Sequence, residues 1–190
     1  MKIIAIIPAR AGSTSIKNKN LIKIKNKPLI SFSIAAAKKS KLINRVIVTT
    51  DSKNIKKVAI KNGAEVPFLR PKKISGFLSR DIEYLKHCIK LLKKEKYTPD
   101  LIILLRPTTP FREIKIIDEA IQLMIKNKAD SLRSVSVAKE TPFKMWRKKG
   151  KLITPIFGMK NINKTNYPRQ KLEKFYWQNG YIDIIKPETI

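Results

Sequence analysis

Ile3-Ile4-Ala5-Ile6-Ile7, followed by Pro8-Ala9-Arg10-Ala11-Gly12-Ser13-Thr14-Ser15-Ile16-Lys17-Asn18-Lys19-Asn20-Leu21, decides the fold. A short unbroken apolar run rich in β-branched residues is the pattern of a strand buried on both faces, as in a parallel sheet. Open α/β sheets bind ligands at the carboxyl ends of their strands. The segment that follows this strand has neither P-loop spacing nor Gly-x-Gly-x-x-Gly. It offers Gly12 for close backbone approach, Ser13 and Thr14 as donors, and Arg10, Lys17 and Lys19 as charge. A triphosphate needs that mixture of backbone N–H groups and cations. A solvated basic turn is the alternative reading of the same residues.

The rest of the chain alternates strand and helix patterns. Pro28 suits the first turn of a helix with Ile30, Ile34 and Ala37 on one face. Residues 45–50 read as a second strand, with Asp51 or Ser52 capping a helix that buries Ile55, Val58 and Ala59 and closes at Asn62-Gly63. A helix over 79–94 places Ile82, Leu85, Ile89 and Leu92 inward, and Leu101–Leu105 is the clearest buried strand. Ile114, Ile117, Ala120, Ile121 and Met124 mark another amphipathic helix, and 130–137 alternates as a strand. This alternation predicts an α/β fold with a doubly wound, mostly parallel sheet. After Lys139 the helical periodicity weakens, aromatics appear, and Lys148-Lys149-Gly150 suggests a hairpin. The expected organisation is a core over 1–139, an excursion over 140–176 and a return strand within 177–190.

Composition excludes several classes. With 43% hydrophobic and 29% charged residues the chain should fold around a real core. The net charge of +28 suits a polyanionic partner, but the cations are mostly lysines spread along the chain, the pattern of a solvated surface. Nucleic acid is therefore not the expected partner. The single cysteine, Cys88, rules out an intramolecular disulfide and fits a reducing, cytoplasmic compartment. No run approaches the roughly 18 apolar residues of a membrane span, and the first apolar run is too short for a secretion signal. The lone His87 is expected to be structural, and Trp146 and Trp177 to be core or subunit contacts.

Several blocks, in order, resemble one family. Ile-Ile-Pro-Ala-Arg-x-Gly-Ser at 6–13, Lys19-Asn20-Leu21 and Lys27-Pro28-Leu29-Ile30 are similar to the N-terminal signature of the acylneuraminate cytidylyltransferases, the CMP-sialic acid synthetases and their relatives. Val46–Asp51, Gly63–Pro71, Leu105–Arg112, Pro142-Phe143-Lys144, Pro168-Arg169-Gln170 and Asn179-Gly180 resemble later blocks. Relatives that activate an eight-carbon sugar typically read Lys-Pro where this chain has Lys19-Asn20, which favours the sialic acid branch. The resemblance implies a Rossmann-like nucleotidyltransferase that joins CMP from CTP to the anomeric hydroxyl of a nine-carbon 2-keto-3-deoxy sugar acid of sialic, legionaminic or pseudaminic type. It implies catalytic roles for Arg10 and Lys19 at the triphosphate. It places Ala9, Gly12, Ser13, Asn20 and Arg70 at the nucleotide, and Arg106, Thr108, Lys144, Arg169 and Asn179 at the sugar acid. It further implies a homodimer formed through 140–176.

Three departures from the family pattern stand out. Thr14 replaces a cation after Gly-Ser, and Phe77 stands where members commonly carry Asp. The resemblance implies Mg²⁺ held by an Asp-x-Asp pair in a further segment, and the chain ends at Ile190 without that pair. Asp183 belongs to the return strand, so no metal ligand is assigned. The expectation that follows is impaired turnover. The alternative function is a catalytically impaired homologue that only binds nucleotides or polyanions.

Overall fold

The computed structural model describes residues 1–12 and 16–190. They divide into two compact units, 1–133 with 180–190, and 134–179.

The first unit is built on the opening stretch. Strand β1 (Ile3–Pro8) lies between β4 (Arg45–Thr49) and β5 (Leu101–Leu104) and is parallel to both. Two short strands, β2 (Lys23–Ile24) and β3 (Lys27–Pro28), form a small antiparallel ribbon before helix α1 (Leu29–Lys39). The sheet continues through β9 (Tyr176–Ile185) to β6 (Ser131–Val137), in the order β4-β1-β5-β9-β6. β9 runs antiparallel to β5, pairing Ile103 with Ile184 and Leu104 with Asp183.

Alternate residues of β1 feed two cores. Ile3, Ala5 and Ile7 pack with Ile30 and Ile34 of α1, Ile55 and Ala59 of α2 (Lys53–Lys61), and Ile117 and Ile121 of α4 (Ile114–Lys126). Ile4 and Ile6 face Tyr84, Leu85, Cys88, Ile89 and Leu92 of α3 (Asp81–Lys94) on the other side. Helices thus cover both faces, and each fully buried isoleucine contributes about 2 kcal/mol. The caps are local: Ser52 accepts the Ile55 N–H, and Gly63, at φ +84°, carries the chain out of α2. Helix α3 begins at Asp81 rather than Ser79, and Ser79 donates its N–H to the Gly76 carbonyl in the turn before it. The Glu83 carboxylate accepts the Arg80 N–H, half of a capping box.

One arginine ties the loop after β5 to its surroundings. Arg112 donates through Nε to the Tyr181 carbonyl at 2.6 Å, through Nη1 to Ser33 Oγ at 3.0 Å and through Nη2 to the Arg106 carbonyl at 2.8 Å. Nη1 also reaches the Thr109 carbonyl. Burial pushes this guanidinium down to about 10. Next to it Thr109 Oγ1 donates to the carbonyl of Gly180, whose φ of +69° breaks the extended run of β9.

In the second unit, β7 (Trp146–Lys149) and β8 (Leu152–Pro155) form the hairpin expected around Gly150. Phe143, Phe157 and Phe175 make its aromatic centre, with ring centroids 4.9–5.9 Å apart. Trp146 and Trp177 are exposed, at 42% and 57%.

Replacing Arg112 by methionine should lower folding stability by about 2–4 kcal/mol, because several carbonyls lose a charged donor together. Lysine, which lacks the planar fork, should not rescue it. Urea unfolding of the two variants measures both effects.

Candidate functional site

Where β1 ends, Ala9 donates its N–H to the Thr49 carbonyl at 3.0 Å, so the chain turns outward at Arg10 beside the end of β4. Two contacts hold the Arg10 backbone. The buried Asn20 donates Nδ2 to the Arg10 carbonyl at 3.0 Å, and Asp51 Oδ1 accepts the Ala11 N–H at 2.8 Å. Asn20 is placed by a short 3-10 turn, Lys19–Leu21, entered through Asn18 in the left-handed region at φ 52°. The Arg10 side chain donates to the Gly76 carbonyl and lies 5.8 Å from the Phe77 ring.

Arg70 comes to the same place from another direction. Its N–H is held by the Thr50 carbonyl, and its guanidinium donates to Thr49 Oγ1 at 3.2 Å and to the Thr49 carbonyl at 2.8 Å. The guanidinium also covers the Tyr84 ring at 4.6 Å. Burial lowers its pKa, partly offset by the neighbouring phenol and carboxylates. Pro8, Arg10, Arg70, Gly76, Phe77, Ser79, Asp81 and Tyr84 line one cleft of about 200 Å³. The hydroxyl of Tyr84 is buried and has no hydrogen-bond partner among the described residues. Burial, then the charge of Asp81, raises its pKa, so the phenol keeps its proton.

The residues assigned by resemblance fall into groups. Arg10 and Arg70 share the cleft, and Asn20 and Ala9 fix the backbone beside it. Lys19 is half-buried next to Asn20, and Gly12 is exposed, with open space where a Cβ would stand. Ser13 and Thr14 lie outside the described residues. Arg106 donates to Asp183 Oδ2 at 2.6 Å and to Asp81 Oδ2 at 2.5 Å. Burial opposes its charge, but the two carboxylates outweigh burial and raise its pKa. Asp183, 1% exposed, also accepts from Arg133 Nε at 3.2 Å. Thr108 is exposed in the loop after β5.

Lys144, Arg169 and Asn179 belong to the second unit. Lys144, itself exposed, ends a 3-10 turn whose Phe143 is buried. Arg169 donates to the Ala138 carbonyl at 3.4 Å and lines a cavity of about 280 Å³ with Thr141, Gln170 and Glu173. Asn179 accepts from Ser134 Oγ at 2.7 Å and donates to Ser136 Oγ at 2.9 Å, a cross-strand clasp between β9 and β6.

Asp51, Asp81 and Tyr84 were not among the residues that sequence singled out for chemistry. Asp51 reads as a helix cap, yet Ser52 takes that role and leaves the Asp51 carboxylate to the Ala11 N–H. Tyr84 could have been found from its spacing with Cys88 on the buried face of α3. Asp81 carries no local signal, because its partner Arg106 is 25 residues away. These carboxylates also bear on magnesium. Among the described residues no three His, Cys, Asp or Glu side chains are grouped to hold a metal. Asp51 already serves a backbone N–H, and Asp81 and Asp183 serve Arg106. No Mg²⁺ ligand is assigned among the described residues. Among them, too, no helix is long and apolar enough to cross a membrane.

A family model described as "Cytidylyltransferase" matches residues 4–176. An N-acylneuraminate cytidylyltransferase of Escherichia coli is 41% identical over 123 residues, 64% of this chain and 28% of that protein. A CMP-N,N'-diacetyllegionaminic acid synthase of Legionella pneumophila is 37% identical over 123 residues, 65% of this chain and 53% of that protein. The chain thus spans about half, or less, of the length of these curated relatives. Among solved structures, a CMP:2-keto-3-deoxy-manno-octonic acid synthetase complexed with CTP superposes with a TM-score of 0.70 at 17% identity. That match covers 99% of this chain and 75% of the other, and it shows the shared fold.

His87, the chain's single histidine, packs edge-on against Phe68, and its Nδ1 has no partner among the described residues. Burial, then the charges of Arg70 and Lys90, holds its pKa below the usual 6.5. The unfolded chain therefore binds this proton more readily, and stability falls as pH drops through the unfolded value. Urea midpoints compared at about pH 7.5 and about pH 5.5 should show a small loss that His87→Phe removes. Equal pH responses in the two proteins would refute this.

Proposed function

This chain belongs to the cytidylyltransferase family, and we propose that it transfers CMP from CTP to the anomeric hydroxyl of a nine-carbon 2-keto-3-deoxy sugar acid. The hydroxyl oxygen attacks the α-phosphorus and gives up its proton to water, the bond from that phosphorus to the oxygen bridging to the β-phosphate breaks, and pyrophosphate leaves. The observation that carries this reading is the convergence of Arg10 and Arg70 in one cleft at the carboxyl ends of β1 and β4. That edge is where open α/β sheets take their ligands.

Phosphoryl transfer asks for positioning and charge neutralisation more than for covalent chemistry. Arg10 is fixed through its backbone by Asn20 and Asp51, so its guanidinium can move from the Gly76 carbonyl to a phosphate while its origin stays in place. Lys19, with Gly12 and Ser13, completes the proposed triphosphate cradle. Ala9, Asn20 and Arg70 serve the nucleoside side. For the sugar acid we assign Arg106, Thr108, Lys144, Arg169 and Asn179, where a guanidinium or ammonium suits a carboxylate. The names of the neuraminate and legionaminate relatives support a nine-carbon acceptor. The same reading includes a cytoplasmic location and a homodimer through the second unit. Exposed Trp146, Ile153, Phe157, Tyr176 and Trp177 supply apolar surface for that contact.

Calorimetry with CTP, ATP and inorganic triphosphate, with and without Mg²⁺, tests the nucleotide part. CTP should bind tightest, and Arg10→Ala should weaken it at least about tenfold. Equal affinity for all three ligands, with steep salt dependence, would instead show simple polyanion binding. Pyrophosphate release with sialic, legionaminic and pseudaminic acids as acceptors then identifies the sugar. Sedimentation should give twice the monomer mass, reverting to a monomer when the exposed Trp146 and Ile153 are both replaced by charged residues.

A further inference from the structure

The tip of the β7–β8 hairpin gathers four cations, Arg147, Lys148, Lys149 and Lys151, around Gly150. The second unit as a whole, 134–179, carries eleven lysines and arginines against two glutamates. All four tip cations are exposed, and among the described residues none of them has an ion pair. Gly150 turns the chain at φ +60°, and nothing stands within 4 Å of the place its Cβ would occupy. The register divides the hairpin into two faces. Trp146 pairs with Pro155 and Lys148 with Ile153, while Arg147 pairs with Thr154 and Lys149 with Leu152. Side chains alternate along a strand, so Arg147, Lys149 and Leu152 share one face and Trp146 and Ile153 the other. The buried Pro155 belongs with Trp146, on the face given above to the dimer contact. The opposite face is left over. It presents two cations, with Lys151 next to them in the turn, and a leucine that is 76% exposed.

An exposed leucine among unpaired cations fits a partner that is negative at its surface and hydrocarbon beneath. An anionic lipid bilayer has that order. Lysine and arginine stems lie along the headgroup layer with their charges at the phosphates, and an aliphatic side chain enters the acyl boundary. Single-stranded nucleic acid is also a polyanion, but its binders stack bases on aromatic rings. The face of Arg147, Lys149, Leu152 and Thr154 carries no ring. We propose that this face docks the protein on membranes that contain anionic lipid, with Leu152 inserted and Arg147, Lys149 and Lys151 against the headgroups. Such a contact lies on the bilayer and needs no spanning helix. It uses no residue assigned to the nucleotide or to the sugar acid. The lysines elsewhere on the chain add attraction to any anionic surface. Leu152 gives the contact its place.

The test is co-sedimentation of the full chain with vesicles of phosphatidylcholine alone and with vesicles of about three parts phosphatidylcholine to one part phosphatidylglycerol. The wild type should bind the mixed vesicles and not the neutral ones. A variant carrying Arg147→Gln, Lys149→Gln and Lys151→Gln should bind the mixed vesicles at least about tenfold more weakly. A control carrying Lys53→Gln, Lys57→Gln and Lys61→Gln removes the same charge from the exposed side of α2 and should lose less than about threefold. Leu152→Ser, with every charge kept, should lose about fivefold. The hairpin variants should keep the wild-type sedimentation mass and melting temperature, because the changed side chains are exposed and lie away from Trp146 and Ile153. No binding by the wild type, or equal losses in the two charge variants, would show diffuse attraction only and sink the proposal. Binding unchanged by Leu152→Ser would sink it as well. So would tighter binding to a labelled single-stranded oligonucleotide than to the mixed vesicles, with both lost in the hairpin charge variant, which would make the face a nucleic-acid site.

Discussion

The packing of β1 on both of its faces is the constraint on which the molecule depends. Ile4, Ala5, Ile6 and Ile7 have no exposed surface, and their side chains alternate between two separate cores. A strand in that position cannot carry a polar side chain without an internal partner. Chemistry is therefore pushed to its end, where Pro8 leaves the sheet and Arg10 is the first charged residue after Lys2. The parallel neighbours end at the same level, and Thr49 and Arg106 emerge beside it. The chemistry-bearing residues of the first unit gather at this edge because its centre accepts nothing but hydrocarbon.

Arginine and lysine divide the positive charge between them by geometry. Arg45 forms a two-pronged contact with Glu65, at 3.0 Å from Nε to Oε1 and 2.6 Å from Nη2 to Oε2. Arg70 is spent on Thr49, Arg106 on two aspartates, and Arg112 on carbonyls. Each of these sites uses the rigid fork that an ammonium lacks. The lysines, which make up most of the +28 charge, lie largely at the surface with few fixed partners. They can raise the rate at which an anion arrives, but they do not define where it binds.

What was legible in the sequence followed from local periodicity. The buried run of β1, the turn at Asn62-Gly63, the inward faces of α2 and α4 and the hairpin at Gly150 all depend on residues within a few positions of one another. Two features did not. β9 begins at Tyr176 and runs antiparallel to β5, yet its first residues are exposed and show no apolar run. The direction of a strand depends on what it pairs with, and that information lies 79 positions away, at Leu104 opposite Asp183. The roles of the arginines were hidden in the same way. Arg106 was placed at the sugar acid by resemblance alone, and only folding brings it between Asp81 and Asp183.

That last pairing links the sheet to the cleft. Asp183 is buried in β9 and holds Arg106 from behind, while Asp81 holds it from α3 with about half of its side chain exposed. Asp183 is held from two sides, by Arg106 and by Arg133, and is itself buried, so that side of the pair is fixed. The Asp81 contact lies partly in water and is worth far less. Arg106 is thus anchored on one side and adjustable on the other, and the adjustable partner is the carboxylate that lines the cleft.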